Sequence, residues 1–265
     1  VTRDEAMIAP QRSRNEFARY STKRGRSPLW LTCCLGLLLL VGLSACNAAP
    51  QAEAGSDRPA ETMSSIPSAY ADRPQLVGDA VLVMKVVTAE GEGEVTMELN
   101  GKLAPLTAGN FADLVQKGFY DGLTFHRVVN DPVPFVVQGG DPFGNGTGGY
   151  VDPTSLRKRE IPLEITVADE EEPRYDTLFD QAQIAKPPAL PHRRAALAMA
   201  RSQAPNSASS QFYITLSDQP VLDGRYAVFG YVTEGMDIVD TIQVGDEIQS
   251  IEIVSGDDNL VIPGA

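Results

Sequence analysis

The sequence predicts a mostly β fold, a closed eight-stranded barrel capped by two α-helices, and two observations carry that prediction. Eight strand-like runs follow one another beyond Leu76: DAVLVMKVVT (79–88), GEVTMELN (93–100), TFHRVV (124–129), FVVQ (135–138), RAALAMA (194–200), QFYITL (211–216), YAVFGYVT (226–233) and DEIQSIEIVS (246–255). Most are short, and Gly, Pro and Asp turns separate several of them. Two helical patterns interrupt the series, and closing such a sheet on itself removes its exposed edges. An apolar fraction of 43% is enough for a real core.

The first helical pattern is PLTAGNFADLVQKG (105–118), with Thr107 as N-cap, Phe111, Leu114 and Val115 on one face, and Gly118 past the last turn. The second is TEGMDIVDTI (233–242), with Met236, Val239 and Ile242 at helical spacing. Alternation sorts the strands into faces. In QFYITL, Phe212, Ile214 and Leu216 fall on one side and Gln211, Tyr213 and Thr215 on the other; in FVVQ, Val136 and Gln138 lie together. With the all-apolar set turned to the barrel core, Gln, Tyr, Val and Arg side chains face out as a shallow, partly apolar groove. Residues 151–192 are acidic in the middle (DEEEP) and Pro-rich near the end, which reads as a surface excursion with RKREIPLEI partly ordered and His192 a loop residue. The glycines of GNGTGG (144–149) precede YVDP and no helix, so a turn-rich loop is expected there, not a dinucleotide site.

Charge and cysteines exclude several function classes. Residues 1–46 hold seven Lys/Arg and three Asp/Glu, which leaves 15 against 32 in the remainder of a chain of net charge −13. So acidic a body lacks the clustered cations that nucleic-acid phosphates require, and no nucleic-acid partner is expected. Cys33, Cys34 and Cys46 are the only cysteines, and His126 and His192 the only histidines. Disulfides, thiol nucleophiles and cysteine metal sites are thereby excluded beyond residue 46, and neither a metal nor a cofactor is expected. Ser209 and Ser210 with His126 could suggest a hydrolase, but the G-x-S-x-G elbow is missing.

Residues 19–46, RYSTKRGRSPLWLTCCLGLLLLVGLSAC, join a basic stretch to a 15-residue apolar run from Leu29 to Leu43. That is a signal-peptide core, short of the ~20 residues of a spanning helix. The LSAC at 43–46 resembles the lipobox of bacterial lipoproteins, which implies lipidation at Cys46 and an extracytoplasmic, membrane-tethered body; an uncleaved signal anchor is the alternative. Residues 47–75, rich in Ala, Pro, Ser and Glu, read as a flexible linker, and residues 76–265 as the domain.

Four blocks, FHRVV (125–129), FVVQGGDPFGNGTGG (135–149), MARSQAPNSASSQFYITL (199–216) and LDGRYAVFGYV (222–232), resemble in order the cyclophilin-type peptidyl-prolyl cis–trans isomerases, over about Leu76 to Ser255. The resemblance implies the same barrel and a cofactor-free isomerase of X-Pro bonds acting as a monomer on proline-containing polypeptides. Arg127 takes the catalytic position, with Gln138 and Gln211 orienting it and holding the neighbouring carbonyl. Phe135, Val136, Tyr213 and Leu222 take the positions that hold the proline ring, and His126 lines the groove. The Ala200 and Arg201 backbone would pair with the extended peptide. Three positions depart from the family. Arg201 replaces a common Asn, Val221 replaces the Trp that helps bind cyclosporin, and Tyr226 stands where many members have His. NDPVP (130–134) also lengthens the turn before Phe135. A noncatalytic proline-peptide-binding or chaperone module on the same fold, and a purely structural lipoprotein, are the competing readings.

Overall fold

The computed structural model describes residues 66–264. The leader, the lipobox at Cys46 and most of the linker lie outside the described residues. In chain order the strands are β1 (Gln75–Leu76), β2 (Asp79–Thr88), β3 (Gly91–Asn100), β4 (Arg127–Val129), β5 (Val136–Gly139), β6 (Glu164–Thr166), β7 (Pro173–Tyr175), β8 (Ala196–Met199), β9 (Phe212–Thr215), β10 (Val228–Glu234), β11 (Glu247–Ser255) and β12 (Leu260–Val261). Helix α1 (Pro105–Gln116) follows β3, and α2 (Met236–Thr241) follows β10.

The eight strand-like runs are the eight strands of one antiparallel sheet, ordered β11-β2-β3-β10-β8-β9-β5-β4. Its ends meet. Thr124, just ahead of β4, bridges Glu247 of β11, and the Phe125 and Ile248 N–H groups donate to the Asp246 and Leu123 carbonyls at 2.9 and 2.8 Å. Curling puts one face of every strand inside. Leu82, Met84 and Val86 of β2 meet Val95, Met97 and Leu99 of β3, and Val137, Leu197, Phe212, Ile214 and Phe229 complete the core. Helix α1 plugs this core with Phe111, whose ring lies 4.9–5.2 Å from those of Tyr120, Phe212 and Phe229. Helix α2 adds Val239, and Ile242 closes behind it. β1 and β12 pair as a separate two-stranded ribbon.

Three expectations change. Thr107 is not the N-cap of α1: Ala104 holds that place without a side-chain bond, and Pro105 opens the helix. The first-turn N–H groups of Leu106 and Thr107 donate instead to the Glu164 carboxylate of β6 at 3.1 and 2.8 Å, and the Thr107 hydroxyl adds a third bond at 2.7 Å. A carboxylate at a helix N-terminus satisfies orphan donors and meets the positive end of the dipole. The excursion 151–192 is accordingly no loose surface loop. Its β6–β7 hairpin buries Leu163, Ile165 and Val167 with Phe179 and Ala227 in a small core of its own. Finally, residues 66–75 lie along the body. The Tyr70 hydroxyl donates to Asp176 at 2.7 Å and Arg73 Nε to the Glu160 carbonyl at 3.2 Å, so ordered chain begins ahead of residue 76.

Candidate functional site

Strand register sets five residues on one rung. Arg127 of β4 faces Gln138 of β5, which faces Tyr213 of β9, then Ala198 of β8 and Val228 of β10. Their neighbours Val137, Phe212, Leu197 and Phe229 fill the barrel, so alternation turns this rung outward. Val136, Ala196, Ala198, Tyr213 and Val228 form a second apolar cluster there, ringed by Phe135, Ala200, Leu222 and Tyr226. The lengthened NDPVP turn does not carry Phe135 away. The Ser217 hydroxyl and Gln219 Nε2 donate to the Pro134 carbonyl at 2.6 and 3.2 Å, and the Phe135 N–H donates to the Val129 carbonyl at 2.9 Å.

A polar chain runs along the edge of this apolar bed. Gln211 Nε2 donates to the Gly148 carbonyl at 2.9 Å, Gln138 Nε2 to Gln211 Oε1 at 3.0 Å, and Arg127 Nη1 to Gln138 Oε1 at 3.1 Å. Because a carbonyl only accepts, the Gly148 end fixes which way both carboxamides point, and the last one presents its oxygen to the guanidinium. Arg127 itself is exposed. Its charge centre lies 5.9 Å from the Phe135 ring, and of its five N–H donors one is taken by Gln138.

The loop that supplies Gly148 is built on one carboxylate. Asp141 is 1% exposed; Oδ1 accepts the Phe143 N–H at 2.9 Å, and Oδ2 accepts the Asn145 and Gly146 N–H groups at 3.0 and 2.6 Å. Burial pushes that carboxyl up, but the backbone donors together prevail and hold it below the usual carboxylate range. Gly148 must be glycine, since a Cβ there would lie 1.9 Å from Asp141 Oδ1. His126 sits half-buried beneath the loop, with both ring nitrogens shielded near Gln211 and Asp141 but outside hydrogen-bond geometry. Burial lowers its pKa, against the opposing pull of Asp141. Gln138, Gln211, Thr147, Gly148, Lys158 and Arg201 help line a cavity of about 280 Å³ beside the polar chain. A larger cavity of about 500 Å³, among Arg73, Lys117, Arg157 and Arg159, shares none of the expected site residues.

Comparison with known proteins places this arrangement. Residues 83–258 match the family model described as cyclophilin type peptidyl-prolyl cis-trans isomerase/CLD. The chain belongs to the cyclophilin family. A putative thylakoid lumen peptidyl-prolyl cis-trans isomerase of Synechocystis is 42% identical over 207 residues, 74% of this chain and 52% of the relative. A chloroplastic peptidyl-prolyl cis-trans isomerase of Arabidopsis thaliana is 40% identical over 212 residues, 75% of this chain and 47% of the relative. The chain thus spans about half the length of each. A solved cyclophilin-type isomerase of Cryptosporidium parvum superposes with a TM-score of 0.50 at 27% identity, covering 67% of this chain and 98% of that one.

Within this cyclophilin domain the departing residues have definite places. Arg201 reaches across to the loop ahead of β10: Nε and Nη2 donate to the Arg225 carbonyl at 3.0 and 2.7 Å, and its charge centre lies 4.7 Å from the Tyr226 ring. It braces Tyr226, which meets Tyr213 edge-on at 6.0 Å. The Ala200 N–H already donates to the Gln211 carbonyl at 2.9 Å, so that N–H is not open to a bound strand. Val221 is 67% exposed and lies outside the apolar cluster that its neighbour Leu222 joins. Ser209 and Ser210 are committed to backbone, the first accepting the Tyr150 N–H and the second donating to the Gly140 carbonyl. His192 is the residue that sequence reasoning missed. It lies in the irregular segment ahead of β8, as expected, but it is 2% exposed and touches Tyr213. The sequence carries no local signal for it, because its partners lie 21 and 31 residues away.

Proposed function

We propose that this cyclophilin is a peptidyl-prolyl cis–trans isomerase acting on proline-containing polypeptides outside the cytoplasm. The observation that carries the reading is the polar chain ending at Arg127 beside the apolar bed. Rotation about X-Pro must break amide resonance, a barrier of ~18–20 kcal/mol, and neither makes nor breaks a covalent bond. A catalyst therefore needs no nucleophile and no acid–base pair. In the twisted amide the prolyl nitrogen turns pyramidal and regains its lone pair, an acceptor the planar ground state lacks. The guanidinium of Arg127, permanently charged and aimed by Gln138, donates to that nitrogen while the proline ring rests on Phe135, Val136, Tyr213 and Leu222. Stabilisation confined to the transition state raises the rate, about tenfold for each ~1.4 kcal/mol.

The extracytoplasmic placement rests on the leader with its LSAC at 43–46, and the Synechocystis relative is itself named as a lumenal protein. Lipidation of Cys46 would tether the domain to a membrane surface by an acyl chain. Among the described residues no helix is long and apolar enough to cross a membrane. Incorporation of labelled fatty acid should vanish in Cys46→Ala, and label that persists would remove the anchor.

A noncatalytic proline-peptide binder is the competing reading. Exchange NMR on an X-Pro peptide with substoichiometric, detergent-solubilised chain separates the two. Cis–trans cross-peaks that appear only with the protein are expected; saturable binding without added exchange would establish the binder.

A further inference from the structure

We infer that His192 and Asp223 are positioning residues that hold Tyr213 rigid as the floor of the prolyl site, so that this site is fastened from behind as well as shaped from the front. The inference rests on the isomerase reading for its kinetic consequences, but its structural content stands apart from it. His192 lies in the segment ahead of β8, Asp223 follows the turn Pro220–Leu222, and Tyr213 is on β9. One oxygen of Asp223 accepts both the main-chain N–H and ring Nδ1 of His192, each at 2.8 Å. A carboxylate only accepts, so Nδ1 carries the proton, and in the neutral ring Nε2 keeps its lone pair. Nε2 lies 2.9 Å from the Tyr213 hydroxyl, which must then be the donor. The two rings lie nearly parallel through this contact, 15° apart in plane with centroids at 6.1 Å. The Gln219 N–H donates to the His192 carbonyl at 2.6 Å and fixes the backbone beneath.

The position of Asp223 makes this more than a buried hydrogen bond. It follows Leu222 directly and precedes Tyr226 by three residues, and both of these ring the apolar cluster whose buried centre includes Tyr213. One carboxylate therefore holds the proton on Nδ1 of the histidine, and through that ring meets the tyrosine, while belonging to the turn that delivers two residues packed against the same cluster. Tyr213 shares its rung with Gln138 and Arg127. A tilt of the phenol ring about its strand would move the surface on which proline rests relative to the guanidinium. A ring bonded at its hydroxyl to an imidazole nearly parallel with it, and met edge-on by Tyr226, is held against such a tilt.

The test uses the full chain in detergent with three variants: Tyr213→Phe, His192→Phe and the double variant. Kinetics are read by exchange NMR on an X-Pro peptide, and peptide affinity by titration of the same samples. Either single change should raise KM and the peptide Kd by about fivefold to tenfold, the worth of one buried hydrogen bond, with kcat within about twofold. The double variant should be no worse than the worse single one, because both break the same link. Independently of turnover, the His192 Nε2 nitrogen should resonate as unprotonated in the parent. The Tyr213 ring should flip slowly enough to show separate edge signals, which merge in His192→Phe. Tyr213→Phe changes a single buried atom, so its result stands even where His192→Phe fails to fold. Peptide affinity unchanged in Tyr213→Phe, single-variant losses that multiply in the double, or a protonated Nε2 would each overturn the inference. An absence of catalysed exchange in the parent would instead overturn the isomerase reading, and affinity and ring dynamics would still decide this one.

Discussion

Arg127 is aimed by a side chain that is itself aimed. Gln211 is set by a carbonyl, Gln138 by Gln211, and the guanidinium by Gln138. Gln138→Ala should therefore slow turnover although Gln138 need not touch the prolyl nitrogen. We expect a fall of about tenfold in kcat, the worth of a hydrogen bond to a charged group, measured by exchange NMR on an X-Pro peptide. Asp141 acts one residue further back, through Gly148. Its folded pKa lies below the ordinary value near 3.8, so its contribution to stability is present above that value and is lost as pH falls through the folded pKa. Asp141→Asn should flatten that acid limb in denaturation curves followed by circular dichroism below pH 4. Arg127, Gln138, Gln211 and the ring-holding residues were legible because they sit in contiguous motif blocks. His192 and the cavity-lining Lys158 were not, since chain folding alone brings them to the site.

The strands were readable because a half-buried strand writes its environment into alternate residues. In β2, Ala80, Leu82, Met84 and Val86 mark one face without ambiguity. Helix α1 was readable in place and length but not in how it starts. Its N-terminus is satisfied by Glu164, nearly sixty residues downstream, and local sequence cannot announce a cap borrowed from another element. Burial raises the Glu164 pKa above its ordinary value, with the Thr107 and Leu106 donors opposing. A raised folded pKa means that this group's contribution is full below its unfolded value and fades as pH climbs through the folded one. Relative to Glu164→Gln, the parent should thus lose stability as pH rises above the ordinary value near 4.5, measured by urea denaturation at each pH. A difference between the two proteins that does not change with pH would contradict the burial that raises the Glu164 pKa. Phe111→Ala, which empties the centre of the aromatic cluster α1 brings into the barrel, should cost about 3–5 kcal/mol by the same measurement.

At the scale of the molecule, an acidic body carries its site among cations. Arg127, Arg201 and Lys158 lie on or beside the groove, and the cavity next to Gln138 is lined by no carboxylate. The excursion 151–192 ties this surface to the frame: at one end it caps α1, and at the other it delivers His192 beneath Tyr213. Composition gave the acidity and the strand pattern the class, whereas the excursion's role was hidden: RKREIPLEI read only as partly ordered, and nothing local says that Leu163, Ile165 and Val167 bury with Phe179 and Ala227. All of these features converge on one guanidinium. The most direct test compares the parent with Arg127→Ala for catalysed X-Pro exchange and for peptide affinity in the same samples. Loss of a transition-state donor predicts a fall of about 10²–10³ in kcat with affinity within about twofold. Equal turnover by the two proteins would contradict the account.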